Sequence, residues 1–147
     1  MTLEIAVFLS MNGRAGEALA FYKKHLGAEE LLIVTYEEMA KRDSSFHLTK
    51  ENKQSIAHSV LQVGKTKIMI AEDSMTPTES FAMGNNFSLC IQSADLAEIQ
   101  TFYSNLTTDE RVKIIVPLNQ NSFSGAYGIV EDPFGIQIQL MHDERLQ

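Results

Sequence analysis

Hydrophobic and polar positions alternate along this chain with two different periods. Residues 3–11 are apolar and partly β-branched, and Met11-Asn12-Gly13 ends the run, so they predict a strand. From about Arg14 to His25 the spacing becomes helical. Ala15, Ala18, Leu19, Tyr22 and Leu26 form one apolar stripe, and Gly27 is placed to stop the helix. Leu31–Tyr36 predicts a second strand. Glu37 to Gln54 is polar and aperiodic and reads as a long loop with room for one helical turn. His58–Val63 and Lys67–Ala71 alternate around Gly64-Lys65, the signature of a hairpin.

After a polar stretch from Glu72 to Asn86 the order starts again. Residues 87–92 predict a strand. Asp95-Leu96-Ala97-Glu98 has the form of a capping box and opens a helix whose apolar face is Leu96, Ile99, Tyr103 and Leu106. Val112–Leu118 predicts the next strand, and Asn119 to Gly125 a Ser/Asn/Gly loop. Tyr127–Glu131 and Gly135–Met141 predict a closing hairpin turned by Asp132-Pro133-Phe134-Gly135, where Pro fixes φ and Gly permits a positive one.

The two passages match. Phe21-Tyr22 recurs as Phe102-Tyr103, 81 residues later, each pair following a short apolar segment (IAVFLS, FSLCIQ) and preceding a Leu. A period this long indicates a duplicated half-domain, not a solenoid. Each half reads β-α-β-β-β. The expectation is a single α+β domain over residues 1–147, built of modules at about 3–72 and 86–142 with a linker at 73–85. One helix per half covers one face of its sheet and lets it curl. The predicted architecture is therefore a paired, curled, mixed sheet of eight strands around a cavity, a place where small-molecule chemistry is commonly done.

Composition narrows the function. The apolar fraction of 44% and the charged fraction of 21% are ordinary for a globular domain. Twelve Lys and Arg against nineteen Asp and Glu give a net charge of −7, which argues against nucleic acid as a partner. It is compatible with a cationic guest. Cys90 is the only cysteine, so neither a disulfide framework nor a thiolate metal cluster is expected. No run approaches the length of a membrane span, and no signal peptide is read at the N-terminus, so a cytoplasmic location without membrane contact is expected. There is no G-x-S-x-G, no P-loop and no dinucleotide loop.

FLSMNGRAGEALAFYKKHLGAEE, AHSVLQVGKTKIMIAED and PLNQNSFSGAYGIVEDPFG, with the terminal DPFGIQIQL, resemble the glyoxalase / bleomycin resistance / extradiol dioxygenase (vicinal oxygen chelate) superfamily. In detail they resemble its PhnB-like, or demethylubiquinone methyltransferase-like, branch. The resemblance implies the paired βαβββ fold and a homodimer. It also implies a divalent metal held by His, Glu or Gln from the first and last strands of each half. Carried onto this chain, those positions are Glu4, Met69, Asn86 or Phe87, and Gln139. A metal centre needs three or four convergent hard or imidazole donors, and this set is poor in them. No cofactor is therefore expected, and a divalent metal is not supported. The branch commonly carries a Trp where this chain has Ser124, which implies a smaller or more polar pocket wall.

The candidate ligand-binding residues are His58, Met69, Ser124, Tyr127 and Gln139. His58 matches a His common in the branch and titrates near neutrality. It is also read as a structural His at a strand start. Gln139 alternates with Ile138 and Leu140 and shares a face with Gln137. Met69 is its counterpart in the first half, and Tyr127 has a polar tip on an apolar body. His142 lies just past the last predicted strand, at a frayed terminus. The expected function is metal-independent binding of a small organic ligand, with drug sequestration of the bleomycin-resistance kind as one form. The alternatives are a metal-dependent lyase, isomerase or dioxygenase using Glu4, His58 or Gln139, and a methyltransferase, as the branch's label suggests.

Overall fold

A computed structural model describes residues 2–76 and 78–146; Pro77 of the predicted linker lies outside them. The chain divides into two compact units, Met1–Phe81 and Ala82–Gln147, with the boundary inside the predicted linker. The first unit contains β1 (Val7–Ser10), α1 (Ala15–Leu26), β2 (Glu29–Thr35), α2 (Tyr36–Arg42), β3 (Ile56–Val63) and β4 (Thr66–Ala71). The second contains β5 (Ser88–Ser93), α3 (Leu96–Thr107), β6 (Lys113–Asn119), β7 (Tyr127–Glu131) and β8 (Gln137–His142). The fold is α+β.

The eight strands form two four-stranded sheets, ordered β1-β4-β3-β2 and β5-β8-β7-β6. In each sheet the first and last strands of the unit pair in parallel, and the other pairs are antiparallel. The identical order is the structural counterpart of the sequence repeat.

In the first unit, α1 packs on β3 and β4. The predicted stripe of Ala15, Ala18, Leu19, Tyr22 and Leu26 is buried, together with Leu61, Ile68 and Ile70 of the sheet. Phe21 and His25, three and seven residues after Ala18 and so on the same face, are buried as well, their rings 4.6 Å apart. Gly27 ends the helix at φ 62°, a left-handed conformation that costs Gly least. Arg14 at the N-cap provides no side-chain acceptor. Glu72 takes over that task from the end of β4. Its Oε1 accepts the N–H groups of Gly13 at 2.8 Å and Ala15 at 3.0 Å, and its Oε2 accepts that of Ile56 at 3.0 Å.

Two expectations need correction here. Residues 37–54 are not simply a loop with one helical turn, because α2 occupies Tyr36–Arg42. Thr35 caps it by accepting the Glu38 N–H, Glu37 and Glu38 sit in its first turn, and Lys41 and Arg42 in its last. None of its residues is buried and no apolar stripe announces it; the cap, the end charges and Tyr36, whose ring packs against Phe46 at 4.9 Å and whose hydroxyl donates to Asp73 at 2.8 Å, hold it. The first strand is also shorter than residues 3–11. Leu3 and Ile5 are apolar yet 74% and 91% exposed, and pairing begins only at Val7.

In the second unit, α3 covers one face of its sheet. Ile99 and Leu106 are fully buried, with Val130, Ile138 and Leu140 of the sheet. Asp95 accepts the Ala97 N–H at 3.0 Å as an N-cap. The reciprocal half of the predicted box is replaced: the Asp95 N–H donates to Ser93 Oγ at 3.0 Å. The DPFG turn is held by Asp132, whose Oδ1 accepts the N–H groups of Phe134 and Ile136, each at 2.9 Å.

Strand β6 departs from regular pairing between Ile114 and Val116 and again between Val116 and Asn119. Its backbone there presses on Gly128 of β7. A Cβ at Gly128 would lie 3.0 Å from Leu118 Cα and 3.1 Å from Val116 O. Since the neighbour is backbone, Gly128→Ala is expected to destabilise the fold by about 1–3 kcal/mol through overpacking. A thermal melt indistinguishable from that of the unaltered chain would refute this.

Candidate functional site

Each sheet has one face under its unit's helix and another, here called the open face, that this helix leaves uncovered. In the first unit the open face carries Phe8, Met69, Val60 and Leu32 in one row, since Phe8 pairs with Met69, Met69 with Val60, and Val60 with Leu32. His58, one alternation along β3 from Val60, lies on the same face opposite Val34. His58 and Met69 thus share a largely apolar, half-buried surface.

The open face of the second unit is more polar. Cys90 pairs with Gln139, and Gln139 with Ile129. Gln92 pairs with Met141, and Met141 with Tyr127. Tyr127 and Gln139 are brought together: the Tyr127 hydroxyl donates to Gln139 Oε1 at 2.6 Å. The same carboxamide donates from Nε2 to Ser88 Oγ on β5 at 2.8 Å. Three side chains from three adjacent strands therefore form one hydrogen-bonded chain across the sheet. Phe123 stands over one end of it, 67% exposed, its ring 5.3 Å from that of Tyr127 and steeply inclined to it. Partial burial pushes the Cys90 thiol above its ordinary pKa, so it is held neutral.

Ser124 is placed elsewhere. Its hydroxyl is buried, 2.7 Å from both Ala126 O and His142 O, and accepts the Ala126 N–H at 3.2 Å. It ties the loop before β7 to the end of β8 through backbone. His142 is not part of a frayed end. It lies within β8 and is buried, and its Nε2 is 3.0 Å from Ala94 O. Its alternation with Ile138 and Leu140 puts it on the helix side, away from Gln139.

The positions at which a metal would be held by resemblance are, one by one, poor in metal donors. Glu4 precedes β1 and is ion-paired with Lys67 at 3.1 Å. Met69 offers a thioether on an apolar face. Asn86 and Phe87 are exposed and precede β5. Gln139 has both ends of its amide engaged, by Tyr127 and Ser88. Among the described residues no three His, Cys, Asp or Glu come together in a way that could hold a metal ion. The residues present do not fit a hard divalent cation.

Comparison with known proteins agrees with this architecture. The model of the Glyoxalase/Bleomycin resistance protein/Dioxygenase superfamily matches residues 5–140. Protein YjdN of Escherichia coli (strain K12) is 24% identical over 139 residues, which cover 91% of each chain. Protein PA1353 from Pseudomonas aeruginosa has the same fold, with a TM-score of 0.77, 22% identity and coverage of 97% of this chain and 98% of that one. So does a Bacillus cereus PhnB protein described as a putative 3-demethylubiquinone-9 3-methyltransferase, at TM-score 0.72 and 22% identity, covering 96% of this chain and all of that one (100%). The fosfomycin resistance protein FosX from Listeria monocytogenes is more distant, at TM-score 0.63 and 15% identity, covering 96% of this chain and 91% of that one. Repeat, strand order and family match converge on one assignment: the chain belongs to the Glyoxalase/Bleomycin resistance protein/Dioxygenase superfamily.

Proposed function

We propose that this protein binds a small organic ligand without a metal, on the open face of its second sheet. The observation that carries the reading is the Tyr127–Gln139–Ser88 chain. It occupies the strand position where the superfamily places a metal ligand, and it turns that position into a fixed hydrogen-bonding group between half-buried apolar neighbours. A few oriented polar groups in an apolar setting are the usual composition of a ligand site. A mutant of FosX from Listeria monocytogenes has been solved in complex with Mn(II). In this chain the Gln139 amide is hydrogen-bonded to two hydroxyls, those of Tyr127 and Ser88.

The test is elemental analysis after dialysis against EDTA and re-exposure to Mn, Ni, Fe and Zn. The expected result is less than one metal per chain. A thermal-shift library of neutral, acidic and basic organic compounds, screened with EDTA present, is expected to give stabilising hits. A native-state ligand at a hundred times its Kd contributes about 2.7 kcal/mol. Stoichiometric metal that is retained through dialysis and lost in Gln139→Ala would overturn the reading in favour of a metal-dependent enzyme. Calorimetric binding of S-adenosylmethionine would overturn it in favour of methyl transfer.

A further inference from the structure

The hydrogen-bond chain on the open face has a direction. As placed, Tyr127 donates to the Gln139 carboxamide oxygen, and the Gln139 amide nitrogen donates to the Ser88 oxygen. A serine hydroxyl has one proton, and that of Ser88 meets no acceptor among the described residues. Turning the amide over reverses both bonds. Ser88 would then donate to the carboxamide oxygen, and the Tyr127 proton would be the one left over. Either way the chain ends in one O–H with nothing to donate to, beside the second N–H of the Gln139 amide. Both orientations of the amide therefore give the same outcome.

The same face carries little charge to offer. Lys113 and Glu131 lie on it across from each other, with Nζ 3.8 Å from Oε2. Cys90 adds no charge, because a thiol is protonated at neutral pH and partial desolvation raises its pKa further. An anionic ligand would therefore lose its hydration without gaining an unpaired cation, and an ammonium ligand would find only neutral hydroxyl and amide lone pairs, with the Glu131 carboxylate already paired to Lys113. Around the chain lie Ile129, Met141 and the exposed ring of Phe123. On the reading that this face binds a ligand, we infer that it selects a neutral carbonyl compound with an apolar, aromatic body, whose oxygen accepts from the Ser88–Gln139–Tyr127 chain. The protein's overall negative charge would suggest a cationic guest, and the local geometry points the other way.

Cys90, the only cysteine, provides the reporter, because it is exposed to reagent and is the register partner of Gln139. Its rate of reaction with dithiodipyridine is measured with EDTA present while one of three probes is titrated in: acetophenone, benzoate or benzylamine, which is protonated at neutral pH. Acetophenone is expected to slow the reaction about threefold at about twice its Kd, by simple mass action. Benzoate and benzylamine are expected to leave it unchanged. Gln139→Glu is nearly isosteric but reverses the polarity. Its carboxylate accepts from both Tyr127 and Ser88, leaves no spare donor, and makes the face anionic. In that variant acetophenone protection should vanish and benzylamine protection should appear.

Benzoate or benzylamine protecting the unaltered chain as well as acetophenone does would overturn the inference and leave ligand binding on this face standing. Acetophenone protection persisting in a folded Gln139→Glu would also overturn it. If no probe protects Cys90 up to its solubility limit, this inference and the proposed binding face fall together. The three-probe comparison on the unaltered chain decides the matter even if the variant does not fold.

Discussion

Glu72→Ala is expected to destabilise the protein by about 3 kcal/mol, a hydrogen bond to a charged group being worth about 1.5–3 kcal/mol before solvent exposure is discounted. Three backbone N–H groups lose their acceptor at once: those of Gly13 and Ala15 at the start of α1, and that of Ile56 at the start of β3. Helix α1 has no side-chain cap of its own, so its first turn depends on a carboxylate supplied from the end of β4. The negative charge also lies against the positive end of the helix dipole. At about 2–4 °C per kcal/mol for a chain of this size, the melting temperature should fall by about 10 °C. Glu72→Gln should fall between the two. Its carbonyl can serve one side, and its NH₂ must then face an N–H on the other. A Glu72→Ala melt within about 2 °C of the unaltered chain would mean that water replaces the carboxylate without loss.

Leu61→Ala should cost about as much or more, at about 2–5 kcal/mol for a buried leucine. Leu61 is completely buried on the helix side of β3, in register with Ile68 and under the layer formed by α1. The space it leaves is bounded by a helix and two strands that cannot collapse into it. The informative control is Val60→Ala, one residue away on the open face and only half-buried. It should cost about 1 kcal/mol, in proportion to the smaller area removed from water. Chemical denaturation of the two variants measures both. Equal losses would show that the two faces of this sheet have been assigned wrongly.

Much of this fold could be read from periodicity because burial wrote it there. Ala15, Leu19, Tyr22 and Leu26 repeat at helical spacing because one side of α1 meets the sheet. Ile138 and Leu140 alternate with Gln137 and Gln139 because β8 has two unlike faces. Elements held by other forces left no such mark. Helix α2 rests on the Thr35 cap, end charges and the contacts of Tyr36, and Glu72, at the boundary between the first module and the predicted linker, carries no mark of a cap. The exposed Leu3 and Ile5 led to the opposite error, since apolar character without pairing is not a strand.

The site was legible to the same extent. Alternation put Gln137 and Gln139 on one face of β8. It did not announce Ser88, which lies 51 residues from Gln139 on a parallel strand. The register of such a pair is set by tertiary closure, and no hairpin turn records it. Nor did it show that Ser124 faces backbone. A serine in a Ser/Asn/Gly loop looks the same in sequence whether its hydroxyl meets a ligand or two carbonyl groups.

The parallel pairing of β5 with β8 also bears on the order in which the second unit is assembled. The β7–β8 hairpin closes over a short turn, whereas β5 must wait for nearly the whole unit to be threaded before it finds its partner. Loop closure is slower and entropically dearer the longer the intervening chain. Strand β5 stands at the end of its four-stranded sheet, with β8 as its one neighbour in that sheet among the described residues. Tyr127 and Gln139 can therefore meet early, while Ser88 and Cys90 reach them last. A transient lifting of β5, the kind of sub-global opening that edge elements undergo most readily, would dismantle the donor chain while most of the sheet stayed folded. The lifetime of the binding face is then the lifetime of one edge strand.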